Sequence, residues 1–151
     1  MPLAYEQIIS GLRTLKESDF DLNNPAMDGP EVLRRLTDAI SQVPEQQRLV
    51  PDLFAVMERL PTSELGSPGP LVHTLERMQG FYEGELINSV RRLPTPLTVW
   101  MVNRLLNTEL TGDERSGYLA LLEQAAHDAR ATGATRKDAS RFLKLHVNRD
   151  M

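Results

Sequence analysis

The 151-residue chain contains no cysteine. That absence excludes disulfide frameworks, thiolate metal sites and cysteine nucleophiles, and it fits a reducing compartment. Long apolar runs are missing too: the most apolar segment, LTVWMV at 97–102, falls far short of the ~20 residues a membrane-spanning helix needs. The opening MPLAYEQIISGLRTLK has no basic stretch leading into an apolar one, so no secretory signal is expected. These absences together lead to the expectation of a cytoplasmic protein that meets no membrane. Aromatics are scarce, at 5%. The three histidines, His73, His127 and His146, lie far apart, with no H-E-x-x-H and no second histidine one turn away. No G-x-S-x-G appears, and no pair of carboxylates stands out from the general acidity. Neither a metal nor a cofactor is expected, and the chain is read as a non-enzyme.

What is present is ordinary for a folded protein: 40% hydrophobic and 25% charged residues. The length suits one domain over 1–151, burying roughly 68–70% of its unfolded-chain surface. The formal charge of −4 is unevenly spread. Residues 1–90 hold fourteen carboxylates against seven basic side chains, whereas 91–151 hold seven against ten. Such a distribution argues against direct nucleic-acid binding and suits an acidic surface that attracts a basic partner.

Apolar spacing is helical almost throughout. Tyr5, Ile8, Ile9, Leu12 and Leu15 form one stripe, Leu33, Leu36, Ile40 and Val43 a second, and Leu53, Val56, Met57 and Leu60 a third. Segment 97–106 is apolar nearly all round, as expected of a helix at the centre of a core. No stretch alternates with period two, so no sheet is expected. Asp28 and Thr95 stand as cap-type residues ahead of Pro30 and Pro96, and Thr111-x-x-Glu114 and Thr135-x-x-Asp138 read as capping boxes. The prediction is an all-α fold of seven or eight short helices. A weak repeat, Leu60-Pro61-Thr62 against Leu93-Pro94-Thr95 with Tyr82 against Tyr118, leaves two architectures open: HEAT-like stacked helical hairpins or an irregular helical bundle. The one long connection, ESDFDLNNPAMDG at 17–29, is either a solvated linker or a functional loop.

The stretch GSPGPLVHTLERM, 66–78, invites a phosphate-cradle reading. That reading fails, because Pro68 and Pro70 have no N–H to offer an anion and Leu71 stands where a lysine would serve. The stretch is a helix entry instead. At ~100° per residue His73 falls opposite Leu71 and Leu75, beside Arg77 and near Glu76, so it is expected to be exposed. Its aligned counterpart is Asn103, followed by Arg104. Glu123 and His127, spaced i, i+4, are read as a helix-stabilising pair rather than metal ligands. The cations Arg136, Lys137, Arg141, Lys144 and Arg149, in or beyond a short terminal helix, are read as solubilising rather than as a phosphate-binding strip.

GSPGPLVHTLE, then Tyr82, then RRLPTPLTVWMVNRLLN together resemble a family of helical immunity proteins of bacterial polymorphic toxin systems, of the contact-dependent-inhibition, Rhs or type VI effector kind. The resemblance covers about residues 60–125. It implies a non-enzymatic, cytoplasmic protein that binds and neutralises a cognate toxin domain, such as a basic nuclease, through a polar, largely acidic helical surface. Asp19, Asp21, His73, Glu76, Arg77, Glu83, Glu85, Asn103 and Arg104 are the residues expected to bind the partner. The carboxylates would mimic phosphate, and the others would supply hydrogen bonds. Two alternatives stand beside this one. The first is a general helical protein–protein interaction scaffold or adaptor using the same face. The second is an enzyme with His73 and Glu76 or Glu123 as acid and base.

Overall fold

The computed structural model describes residues 3–149. Among them the fold is all-helical, with eight α-helices, two short 3₁₀ turns and no strand. Two compact units are present, one up to Glu85 and one from Leu86 on.

The first unit contains α1 (Tyr5–Thr14), α2 (Gly29–Ile40), α3 (Val50–Arg59) and α4 (Gly69–Glu76). The 3₁₀ turns Glu17–Phe20 and Gln46–Leu49 sit in its connections. Helices α1 and α4 each pack on both α2 and α3, so the apolar stripes converge on a common core. Ile8 and Leu12, Leu33, Leu36 and Ile40, Leu53, Phe54 and Met57, and Leu71 and Leu75 are all buried there. Close approach of α1 to α2 depends on Gly11, where a β-carbon would stand 2.7 Å from Cδ2 of Leu36. Arg59 ties α3 to α1: its Nη2 donates to the carbonyl of Leu12 at 2.7 Å, placing a cation on the C-terminal end of α1, where the helix dipole favours it.

The boundary falls inside α5 (Glu83–Arg92), after Glu85. The second unit is built from α6 (Pro96–Leu106), α7 (Gly112–Ala126) and α8 (Gly133–Arg149), each of which packs on the other two. Val99, Met101, Val102 and Leu106 meet Leu121, Leu122 and Ala125 with Ala139 and Phe142 in this three-helix core. Of the two architectures considered, the helix packing within each unit is consistent with the bundle. The repeated Leu-Pro-Thr does not yield a repeated structure. Thr95 caps α6 directly, whereas α4 begins only at Gly69, well beyond Thr62. Tyr82 precedes α5 while Tyr118 lies inside α7, so the two tyrosines occupy different places in their helical pairs.

Three local expectations are corrected. Asp28 precedes α2 without capping it; its ψ of 4° is not the extended conformation a cap requires, and Pro30 has removed one of the donors it could have served. The cap of α8 is Thr132, whose Oγ1 accepts the Thr135 N–H at 3.1 Å, so Thr135 is the receiving position rather than the cap. Helix α6 is not enclosed on every side: Leu97, Trp100 and Leu105 are half-buried, and the Arg104 guanidinium lies over the Trp100 ring at 5.2 Å. A near-continuous apolar sequence reports burial on average, not on each face.

Candidate functional site

The segment 17–29 is a built loop. Phe20 is buried, and the backbone N–H of Lys16 donates to Oδ2 of Asp19 at 3.0 Å, closing the 3₁₀ turn. Asp21 accepts the Asn23 N–H at 2.9 Å through Oδ1. Asn24 holds the far side, donating from Nδ2 to the Ser18 carbonyl at 2.7 Å and accepting the Ala26 N–H at 3.0 Å. Gly29 follows where a β-carbon would collide with the Asp19 carbonyl, at 2.5 Å. Asp19 and Asp21 therefore shape the loop as well as charge it, each spending one oxygen on the backbone.

His73 is exposed on α4, on the side away from buried Leu71 and Leu75. Glu76 on the same helix is half-buried, and Arg77 just beyond it is exposed. Glu83 and Glu85 open α5, where acidic side chains complement the helix dipole. Both oxygens of Glu83 accept the Gly80 N–H, at 2.9 and 3.1 Å, and so close the turn before the helix.

Asn103 and Arg104 belong to the second unit, and their surroundings differ. Oδ1 of Asn103 accepts a hydrogen bond from Nε2 of His146 at 2.7 Å. His146 is 1% exposed, so the pair is a polar clamp inside the bundle, fastening α6 to α8. The nine residues thus fall on four parts of the chain, three of them in the first unit.

The remaining chemistry-bearing residues are engaged with their neighbours. His127 sits 3.5 Å from the Glu123 carboxylate, and its Nδ1 meets the Glu123 carbonyl at 2.9 Å; both side chains are exposed, as a surface helix pair would be. Asp128 has a side chain only 7% exposed and pairs with Arg130 at 2.8 Å. The hydrogen bond from the Arg130 guanidinium, helped by the Arg130 N–H, holds the Asp128 carboxyl below the usual carboxylate range despite its burial. On α8, Arg136 donates to the Ala131 carbonyl, Arg141 pairs with Asp138 at 3.2 Å, and Arg149 donates to Asn107 at 2.8 Å. No group of three or more metal-ligating side chains occurs among the described residues. Nor, among them, is any helix long and apolar enough to cross a membrane.

Two hollows mark the first unit. One, of about 510 Å³, lies beside Tyr5, over whose ring the Arg48 guanidinium stacks at 4.9 Å. The other, of about 740 Å³, opens between the 17–27 loop and the turn at 62–64, with Glu17, Asp21 and Glu64 around it. Leu22, on its edge, is 88% exposed. Sequence reading passed over Leu22 and Glu64. The available signal was Phe20-Asp21-Leu22-Asn23, an aliphatic residue set among turn formers where no helical stripe could bury it.

Fold and site together define an all-helical protein whose first unit carries an acidic, partly apolar surface. No family model matches the chain, and neither a curated protein nor a solved structure does.

Proposed function

We propose that the protein is a non-enzymatic immunity protein, which binds a cognate toxin domain in the cytoplasm and neutralises it through the acidic surface of its first unit. The observation that carries the proposal is where the charge lies. Up to Glu85 there are fourteen carboxylates and seven basic side chains, while the chain beyond has more bases than acids. A surplus confined to one unit produces a directional field, which speeds encounter with a basic toxin and selects against acidic bystanders. The resemblance of residues 60–125 to immunity proteins points the same way. Asp19, Asp21, Glu83 and Glu85 supply the charge, and exposed His73 and Arg77 supply hydrogen bonds. Asn103 has a structural duty as well, since its carbonyl oxygen is committed to His146 and only its amide N–H groups can serve a partner.

Titrating a purified toxin domain, sought first in the adjacent genes, tests the reading. Neutralisation is expected to end at one protein per toxin, since a binder acts stoichiometrically. Asp19→Asn, Asp21→Asn, Glu83→Gln and Glu85→Gln together keep one acceptor oxygen at each position and remove four charges. They are expected to slow association about tenfold or more at low ionic strength, with the difference shrinking as salt is added. Protection at a small fraction of the toxin concentration would mean turnover and would sink the proposal, as would no protection at all.

A further inference from the structure

We infer that the cleft between the 17–27 loop and the turn at 62–64 is a docking groove for a cationic segment of a protein partner, one that sets an aliphatic side chain beside lysine or arginine. The inference rests on the proposed role as a protein binder and assigns the place and chemistry of the contact.

Three observations converge on this occupant. The cleft, about 740 Å³, falls in the range of volumes that hold a few side chains. Its lining includes Glu17, Asp21 and Glu64 and no basic residue, so its charge is complementary to a cation and repels nucleic acid. Its apolar part is continuous with solvent-facing surface: Phe20 and Met27 line it, and Leu22 stands almost wholly in water at the rim. A lone exposed leucine is unremarkable, but one joined to an apolar floor and ringed by carboxylates matches the anatomy of an interface, an apolar centre inside a charged rim.

The walls are preformed. Asp19, Asp21 and Asn24 fix the loop through backbone hydrogen bonds, while Glu64 accepts the Gly66 N–H at 2.9 Å and holds the opposite turn. A partner therefore meets an ordered groove and loses little to loop ordering on binding.

The test uses the full chain and a fluorescein-labelled peptide of alternating lysine and leucine. Two control peptides replace every lysine by glutamine or every leucine by serine. The lysine–leucine peptide is expected to bind at low ionic strength, with amide shift changes at 17–30 and 62–64. Glu17→Gln, Asp21→Asn and Glu64→Gln together keep the acceptors used by the loops, as circular dichroism would verify, and are expected to weaken binding about tenfold or more. Leu22→Ser is expected to weaken it about tenfold on its own, as loss of a central apolar contact would. Equal binding of the leucine-free peptide, insensitivity to the triple variant, shifts centred on α4 and α5, or no binding overturns the inference. So does a dimer, seen by sedimentation, that dissociates in the triple variant, because the groove would then hold a second copy. Toxin neutralisation separates the two proposals. If the triple variant protects normally, the groove is wrong and the immunity reading stands. If the groove binds peptide but the protein protects against no toxin, the reverse holds.

Discussion

Up to Glu85 the chain starts α2, α3 and α4 around a proline and provides none of them with a side-chain cap, whereas beyond Leu86 the helices α6, α7 and α8 each follow a threonine whose Oγ1 accepts a backbone N–H. Proline pre-sets φ and removes one orphan donor; a threonine cap satisfies a donor that would otherwise need water. The second unit thus secures its helix starts locally, within three residues. The first leaves the starts of α2, α3 and α4 without side-chain caps, and its long-range tie is at a helix end instead, where Arg59 donates to the Leu12 carbonyl in the last turn of α1. Its carboxylates are drawn into loop-building, and the same loops carry the exposed charge.

Substitutions can break or sharpen that contrast. The largest effect is expected from Asn103→Ala, which leaves the buried His146 N–H without its acceptor and should cost about 1–3 kcal/mol by urea unfolding. If stability is unchanged and toxin neutralisation falls instead, Asn103 is a contact residue and the second unit is no mere support.

Asp128→Asn comes next, at about 1–2 kcal/mol near neutral pH, since it removes a charge-assisted set of hydrogen bonds from Arg130. Its pH dependence has a definite sign. The folded carboxyl titrates below its usual value, so its contribution is complete above the unfolded pKa and disappears as pH falls through the folded one. Wild type and variant should therefore converge in acid. Parallel stability curves down to low pH would show that the pair contributes nothing specific.

The smallest effect tests the caps directly. Thr111→Ala should cost about 1 kcal/mol, because the Glu114 N–H loses its acceptor at 3.1 Å. Asp28→Ala, which removes a residue equally cap-like in sequence, should shift stability by less than about 0.5 kcal/mol. Equal losses would erase the difference between the units.

Legibility followed the distance in sequence between partners more than the division into units. Thr95 and Thr111 were readable as caps because the partner lies three residues away, and the exposure of His73 followed from the angle between it and Leu71 and Leu75 on one helix. Asp28 misled, since its neighbours have the right composition while its backbone, at a ψ of 4°, lies outside the capping conformation. Asn103 looked like a free polar residue on a helix face; the histidine that claims it is forty-three positions further on. Leu22 and Glu64 went unread for the same reason, being forty-two positions apart and joined only by the cleft they line.

The amino-acid order alone determined that this chain is helical, roughly where its helices begin, and which half bears the negative charge, because periodicity, capping and charge are properties of neighbours along the chain. Tertiary structure decided which polar residues are spent on holding the fold and which remain at the surface, along with the cleft itself. Those depend on residues brought together across dozens of positions by burial of the apolar stripes, and burial ranks side chains by face without naming the partner each will meet.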